Sequence, residues 1–266
     1  MERLLAPVDA LGRATIALTS YLVEIATAVA LAVRHLVLPA RGGRRVAGDV
    51  LARQVYFTGV EAVPFVLLLA GLTATALVAQ VQVQASGLGT GLGPLIVTLL
   101  LRELGPLLTA LVVIGRSGTA IATELANMRV AGEIDGLAYA GVDPFRYLVV
   151  PRLAGMAVAM VCLTLVWVAA AVVAGFALAR LWLGTAAPPW GAYAESLALA
   201  LDLTDPLVLL AKTLIPGLVV AAIACREGLA CDEAVTGVPR AASRAVVRSI
   251  TAVVVWDVLV TLVAVT

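Results

Sequence analysis

The sequence predicts an all-α integral membrane protein: an N-terminal interfacial helix, five transmembrane helices, and a cytoplasmic helix in the connector between spans 2 and 3. Three observations predict it. Of the 266 residues, 62% are hydrophobic and only 13% are charged, about half the roughly 25% of a soluble domain. The apolar runs are long and lack the period-two alternation of an outer-membrane barrel. Basic residues also fall on alternate inter-span segments, as they do on cytoplasmic loops. A net charge of +1 gives no footprint for nucleic acid.

The elements are taken in chain order. Residues 1–52 read as a cytoplasmic segment and 53–266 as the transmembrane domain. Residues 14–33 are apolar enough to span, but Glu24 sits at their centre and Arg13 and Arg34 flank them. These charges favour a helix lying along the cytoplasmic face, with a sixth span as the alternative. Span 1 covers Val60–Val81. Gly87–Gly93 then superficially resembles a phosphate loop, but no strand precedes it and a flexible turn is the better reading. Span 2 starts at Leu92 and continues to Asn127. From Leu95 it has 33 residues, about 50 Å as one helix, which exceeds the hydrocarbon thickness. Spans 3, 4 and 5 are Leu153–Leu178, Leu207–Ala224 and Val246–Val265.

Orientation comes from the arginines. Arg34, Arg41, Arg44, Arg45 and Arg53 precede span 1. Arg129, Arg146 and Arg152 follow span 2, and Arg226, Arg240, Arg244 and Arg248 precede or open span 5. The opposite side holds Arg180 and Lys212 with Glu195, Asp202 and Asp205. The N-terminus is therefore expected in the cytoplasm and the C-terminus outside it.

Span 2 carries most of the chemistry. Pro106 is expected to kink it. Arg102, Thr109, Arg116 and Thr123 recur every seven residues and so predict one helical stripe, with Gly105, Gly115, Gly118 and Ala122 on and beside it. Arg102 and Glu103 lie about two turns below the extracytoplasmic boundary, level with Lys212 and Asp257. Four intramembrane charges that sum to zero read either as structural ion pairs or as a polar lining for a substrate with a headgroup. Pairing suits Lys212 and Asp257 better; a lining suits Arg102 and Glu103 better. Arg116 and Glu124, near the cytoplasmic interface, read as snorkelling anchors or cross-helix pairs.

The connector after span 2 is patterned as a helix. Val130, Ile134, Leu137 and Ala138 form an apolar face against polar Glu133 and Asp135. Asp143-Pro144 predicts the next helix start, with Asp143 as cap. Such a connector is either a surface-lying helix or a coupling helix received by a cytoplasmic protein. Among the cysteines, Cys162, Cys225 and Cys231 lack metal-site spacing and read as small apolar fillers. No P-loop and no catalytic constellation occur, so a transport subunit rather than an enzyme is expected.

Several of these segments carry a family resemblance. LRELGPLLTAL (Leu101–Leu111), GRSG (Gly115–Gly118), AxELxxMR (Ala122–Arg129), VDPxRYLVVPR (Val142–Arg152) and GVPRAASRAVVRSITAVVVWD (Gly237–Asp257) resemble the MlaE/YrbE permeases of ABC transporters that work with MCE-domain proteins. RQVYFTGVEAVP (Arg53–Pro64) and Gln80 fit as well. The resemblance runs from about residue 50 to the C-terminus.

It implies a bacterial inner-membrane homodimer that encloses a lipid cavity open to the periplasm. Arg102, Glu103, Thr109 and Gln80 would line the cavity, with Lys212 and Asp257 paired beside it. Around Met128–Ala140 it implies a coupling helix for a separate cytoplasmic ATPase, which would hold ATP and Mg. Glu124, Met128, Arg129, Glu133, Ile134, Asp135 and Leu137 are the corresponding contacts. No cofactor is implied in this chain, and an MCE-domain protein would form the extracytoplasmic conduit. Substrates implied are phospholipids or other hydrophobic lipids. A proton-coupled carrier using Glu103 and Asp257, or a non-transporting scaffold, are the competing classes. One departure from the family stands out: a TEQ-like triplet common after the MR pair is here Ala131-Gly132-Glu133, and Gly132 is expected to weaken the helix.

Overall fold

A computed structural model describes residues 2–37, 44–85, 97–184, 189–231 and 234–265. The described residues are helical almost throughout and contain no strand. This is what an apolar chain must do in lipid, where each backbone polar group needs a partner within its own segment. Among the described residues, six helical stretches are long and apolar enough to cross a membrane: Thr15–Leu36, Leu51–Val78, Leu100–Val130, Phe145–Trp182, Asp205–Leu229 and Val235–Ala264. The last five correspond to the expected spans 1 to 5. The first holds the segment expected at the interface. The glycine-rich turn at 87–93 lies outside the described residues.

We label α1 Glu2–Val37 and α2 Arg44–Thr58, with a short 3-10 turn Val60–Ala62 leading into α3 Val63–Ala85. Span 2 is composite. A π-helical stretch Val97–Leu104 precedes α4 Gly105–Val113, and a second π stretch Ile114–Gly118 precedes α5 Thr119–Val130. Pro106 lies in the first turn of α4, immediately after the wide π turns. A proline that lacks its N–H thus falls where the hydrogen-bond ladder has already changed step.

Helix α6 (Glu133–Tyr139) sits in the connector, and a π turn Phe145–Val149 leads into α7, Val150–Leu183. Asp143 Oδ1 accepts the Phe145 N–H at 3.0 Å, the cap expected from Asp143-Pro144. After α7 come α8 (Trp190–Ala200), α9 (Asp205–Leu229) and α10 (Val238–Val265). Successive spans alternate, so α6 and the α9–α10 connection share one end of the bundle. Helix α8 lies at the other end, held to α7 by the rings of Phe176, Trp190 and Tyr193. Burial there pushes the Tyr193 phenol above its usual range.

The core lies where α9 meets α5 and α7. Trp167, Leu153, Met156, Leu163, Ile121, Leu125 and Ile223 are fully buried there. Small residues allow the approach. A Cβ on Gly217 would sit 2.7 Å from Ala157 Cα, and one on Gly228 would sit 2.7 Å from Ala122 O. Of the expected small-residue stripe, Gly105 packs on Trp167 and Ala122 on Gly228, whereas Gly115 faces open space.

Candidate functional site

At the α8 end, spans 2, 4 and 5 meet in a charge network centred on Lys212. Its side chain is 1% exposed. Lys212 Nζ lies 2.7 Å from Thr261 Oγ1, 2.8 Å from Arg102 O, 2.9 Å from Glu103 Oε1 and 3.1 Å from Asp257 Oδ1. Three N–H donors thus face four oxygens, and the buried ammonium is fully satisfied. Thr261 Oγ1 is also 3.1 Å from Glu103 Oε1 and 2.9 Å from Asp257 O.

Arg102 does not pair with Glu103. Its Nε lies 2.6 Å from Asp205 Oδ1, off the hydrogen-bond direction, and its Nη2 donates to Asp205 Oδ2 at 3.1 Å. Asp205 opens α9, is itself buried, and accepts the Asp202 N–H at 2.8 Å. The expected balance of four charges therefore becomes five: Arg102 and Lys212 against Glu103, Asp205 and Asp257, a net of −1. Exposure divides the network. Lys212 and Asp257 turn inward, while the side chains of Arg102 and Glu103 are 36% and 32% exposed.

The seven-residue stripe of span 2 does not survive as one face. It presumes an unbroken α-helix, and the π turns rotate the later residues relative to the earlier ones. Arg116 faces span 1 instead. Its guanidinium pairs with Glu61, donates to Phe57 O at 2.6 Å and lies 5.0 Å from the Phe57 ring centroid. Thr109 is fully buried, with no partner for its hydroxyl among the described residues. It therefore does not open onto the surface of the single chain. Gln80 lies in α3, but its side chain is outside the described residues.

At the α6 end, the expected coupling segment divides in two. Glu124, Met128 and Arg129 belong to the last turns of span 2, and α6 alone holds Glu133, Ile134, Asp135 and Leu137. Gly132 separates them, with φ 73°, and caps α6. It does not weaken a helix interior, because the chain turns there in a conformation that favours glycine. Ile134 is buried, Leu137 is half-buried, and Glu133 and Asp135 are exposed; Arg129 reaches Asp135 at 3.2 Å. Glu124 pairs with Arg152 of α7 at 2.9 Å. Tyr139, which the hydropathy pattern does not single out, is 92% exposed at the end of α6.

A third cluster has no counterpart among the sequence expectations. Glu227, 2% exposed, receives Arg226 at 3.0 Å, Arg244 at 3.2 Å and Arg248. Arg226 Nε also lies 2.6 Å from Glu24 of α1. The run of arginines signals orientation only, since one buried acid among them has no local pattern.

Comparisons with known proteins bear on residues 51–263 and on about four-fifths of the chain. The family model described as Permease MlaE matches residues 51–263. A protein of Rickettsia typhi named as a probable ABC transporter permease is 31% identical over 215 residues, 80% of this chain and 82% of the relative. A Synechocystis protein of the same description is 31% identical over 202 residues, covering 75% and 76%. The permease protein MlaE of the intermembrane phospholipid transport system of Haemophilus influenzae is 28% identical over 215 residues, covering 79% and 81%.

Proposed function

The chain belongs to the MlaE permease family, and from that premise we propose that it is the transmembrane subunit of an ABC transporter that moves phospholipid or another hydrophobic lipid. The observation that carries the reading is the family match across residues 51–263, which takes in the first four expected spans and nearly all of the fifth. A relative named for intermembrane phospholipid transport supports the substrate class.

In this reading two copies enclose the lipid cavity. Arg102 and Glu103, the partly open members of the network, present charge to a headgroup, while Lys212 and Asp257 hold spans 2, 4 and 5 together. Gln80 belongs to the same lining once the second copy is in place, while Thr109, buried within the single chain, packs behind it. The outward apolar residues Val254 and Val258 of α10 supply a surface for that copy or for lipid. ATP and Mg are bound by a separate ATPase, which grips α6. Its closure moves span 2 through Gly132, and lipid passes to or from an MCE-domain protein on the α8 side. The α6 end faces the cytoplasm, a placement the arginine asymmetry supports, and the membrane is the bacterial inner membrane. ATP drives transport only because the two states of the cavity bind lipid differently.

The test is ATP-dependent transfer of fluorescent phospholipid from vesicles holding the permease and the co-purified ATPase to an acceptor. Glu103→Gln with Arg102→Ala should reduce captured lipid while the assembly elutes unchanged. Uptake driven by a proton gradient in vesicles that contain no ATPase would instead identify a carrier that uses Glu103 and Asp257.

A further inference from the structure

The Glu227 cluster caps a cavity that the transport reading does not use. Helices α1, α9 and α10 bound a space of about 810 Å³. Its walls are apolar, with Leu22 and Ile25 from α1, Val219 from α9 and Val255 from α10. Its polar lining includes Arg226 and Arg248. On α9, Arg226 is seven residues past Val219, and on α10, Arg248 is seven residues before Val255. These helices run in opposite directions, so both arginines stand at the α6 end and the apolar walls extend about 10 Å deeper.

The charge at the mouth is unbalanced. Arg226, Arg244 and Arg248 face Glu227 and Glu24, three cations against two carboxylates. The side chains of Arg244 and Arg248 are 45% and 43% exposed, so neither is sealed off by its pairing with Glu227. Tyr21 lies beneath Arg226 and Arg248, at 4.3 Å and 4.6 Å from ring centroid to guanidinium, and holds the pair in place. A cationic mouth at the membrane surface with an apolar channel beneath it has the polarity of one anionic lipid.

We propose that this groove is a resident site for an anionic phospholipid of the leaflet at the α6 end. The phosphate sits on the arginine fork, and an acyl chain runs between α1 and the α9–α10 pair. This lipid fastens α1 to the body and is not the transported cargo, because the groove lies at the opposite end from Lys212. The site stands apart from the transport reading and needs only a bilayer.

The test places a photoreactive benzoylphenylalanine at Val255 in the full-length protein, within nanodiscs of equal phosphatidylglycerol and phosphatidylcholine. Each lipid carries an alkyne tag in turn. The tag on phosphatidylglycerol should be captured about tenfold more, the scale of one charge-assisted hydrogen bond. The same residue at Leu68, on the outward face of α3, should capture both lipids equally. Ala252→Phe should fill the groove and suppress capture at Val255. Arg248→Gln should abolish the preference, whereas Arg240→Gln, the same loss of charge outside the groove, should leave it intact. Equal capture of the two lipids at Val255 overturns the proposal and reduces the cluster to a structural clasp. A preference removed equally by Arg240→Gln overturns it too, since that is general membrane charge. Elution of each variant as a single species separates these outcomes from misfolding.

Discussion

Lys212 carries one charge against the two carboxylates of Glu103 and Asp257, and from one buried atom it ties its own span to two others. Breaking such a group by removing one partner costs roughly 3–5 kcal/mol, while replacing all the charges with apolar or neutral side chains is often nearly neutral. Lys212→Met should therefore destabilise the protein strongly, read as a lower melting temperature in detergent. Adding Glu103→Gln and Asp257→Asn should recover most of that loss. Lipid capture should not recover, because Glu103 contributes its open carboxylate as well as its share of the clasp. Full recovery of capture would reduce Glu103 to a structural role. Much of this network is legible in the sequence: the four residues stand out as charges within apolar runs and share one depth. Asp205 is not, because in sequence it is one acid among the loop acids Asp202 and Glu195. Its pairing with Arg102 spans a separation of 103 residues, which no local pattern encodes.

At the scale of elements, hydrophobic periodicity marks the spans well, and the Asp143 cap confirms one boundary by a direct hydrogen bond. The same periodicity fails within span 2. A π stretch has no composition of its own, so the seven-residue recurrence of Arg102 and Arg116 suggests a shared face that the backbone does not keep. The connector shows the reverse case. Gly132 reads as a weak point in a helix, yet its φ of 73° makes it the boundary that frees α6 from span 2. Beyond that boundary Ile134 anchors α6 inward, and Tyr139 stands almost wholly free. Tyrosine is enriched among residues whose truncation costs about 2 kcal/mol or more at protein interfaces. Tyr139→Ala should weaken ATPase binding by about tenfold or more, measured by co-purification and titration, and leave the melting temperature unchanged. Ile134→Asp, by contrast, should lower both. A Tyr139→Ala variant with unaltered ATPase affinity would move the docking surface away from the tip of α6.

For the whole molecule, the choice that the sequence leaves open is the placement of α1: across the membrane or along it. Its apolar stretch Thr15–Leu36 is long enough to cross. We propose the second placement, on the following contacts. Glu24, near the middle of that stretch, reaches Arg226 in the last turn of α9, and Tyr21 lies beneath Arg226 and Arg248. A crossing helix has its middle at mid-bilayer, whereas here the middle of α1 is level with the α6 end of spans 4 and 5. The buried faces of α1 are correspondingly sparse, with Ile25 and Ala32 inside and Ile16 and Val23 outside, as for a helix that gives one side to lipid headgroups and acyl tops. In a background without Cys162, Cys225 and Cys231, single cysteines at Gly12 and Arg34 should then both resist a membrane-impermeant maleimide applied to intact spheroplasts. Both should react in inverted vesicles, together with a cysteine at Arg240, while one at Glu195 reacts only from the spheroplast side. If Gly12 and Arg34 label from opposite sides, α1 crosses, and the Glu24–Arg226 pair must then be read as a contact made within the bilayer.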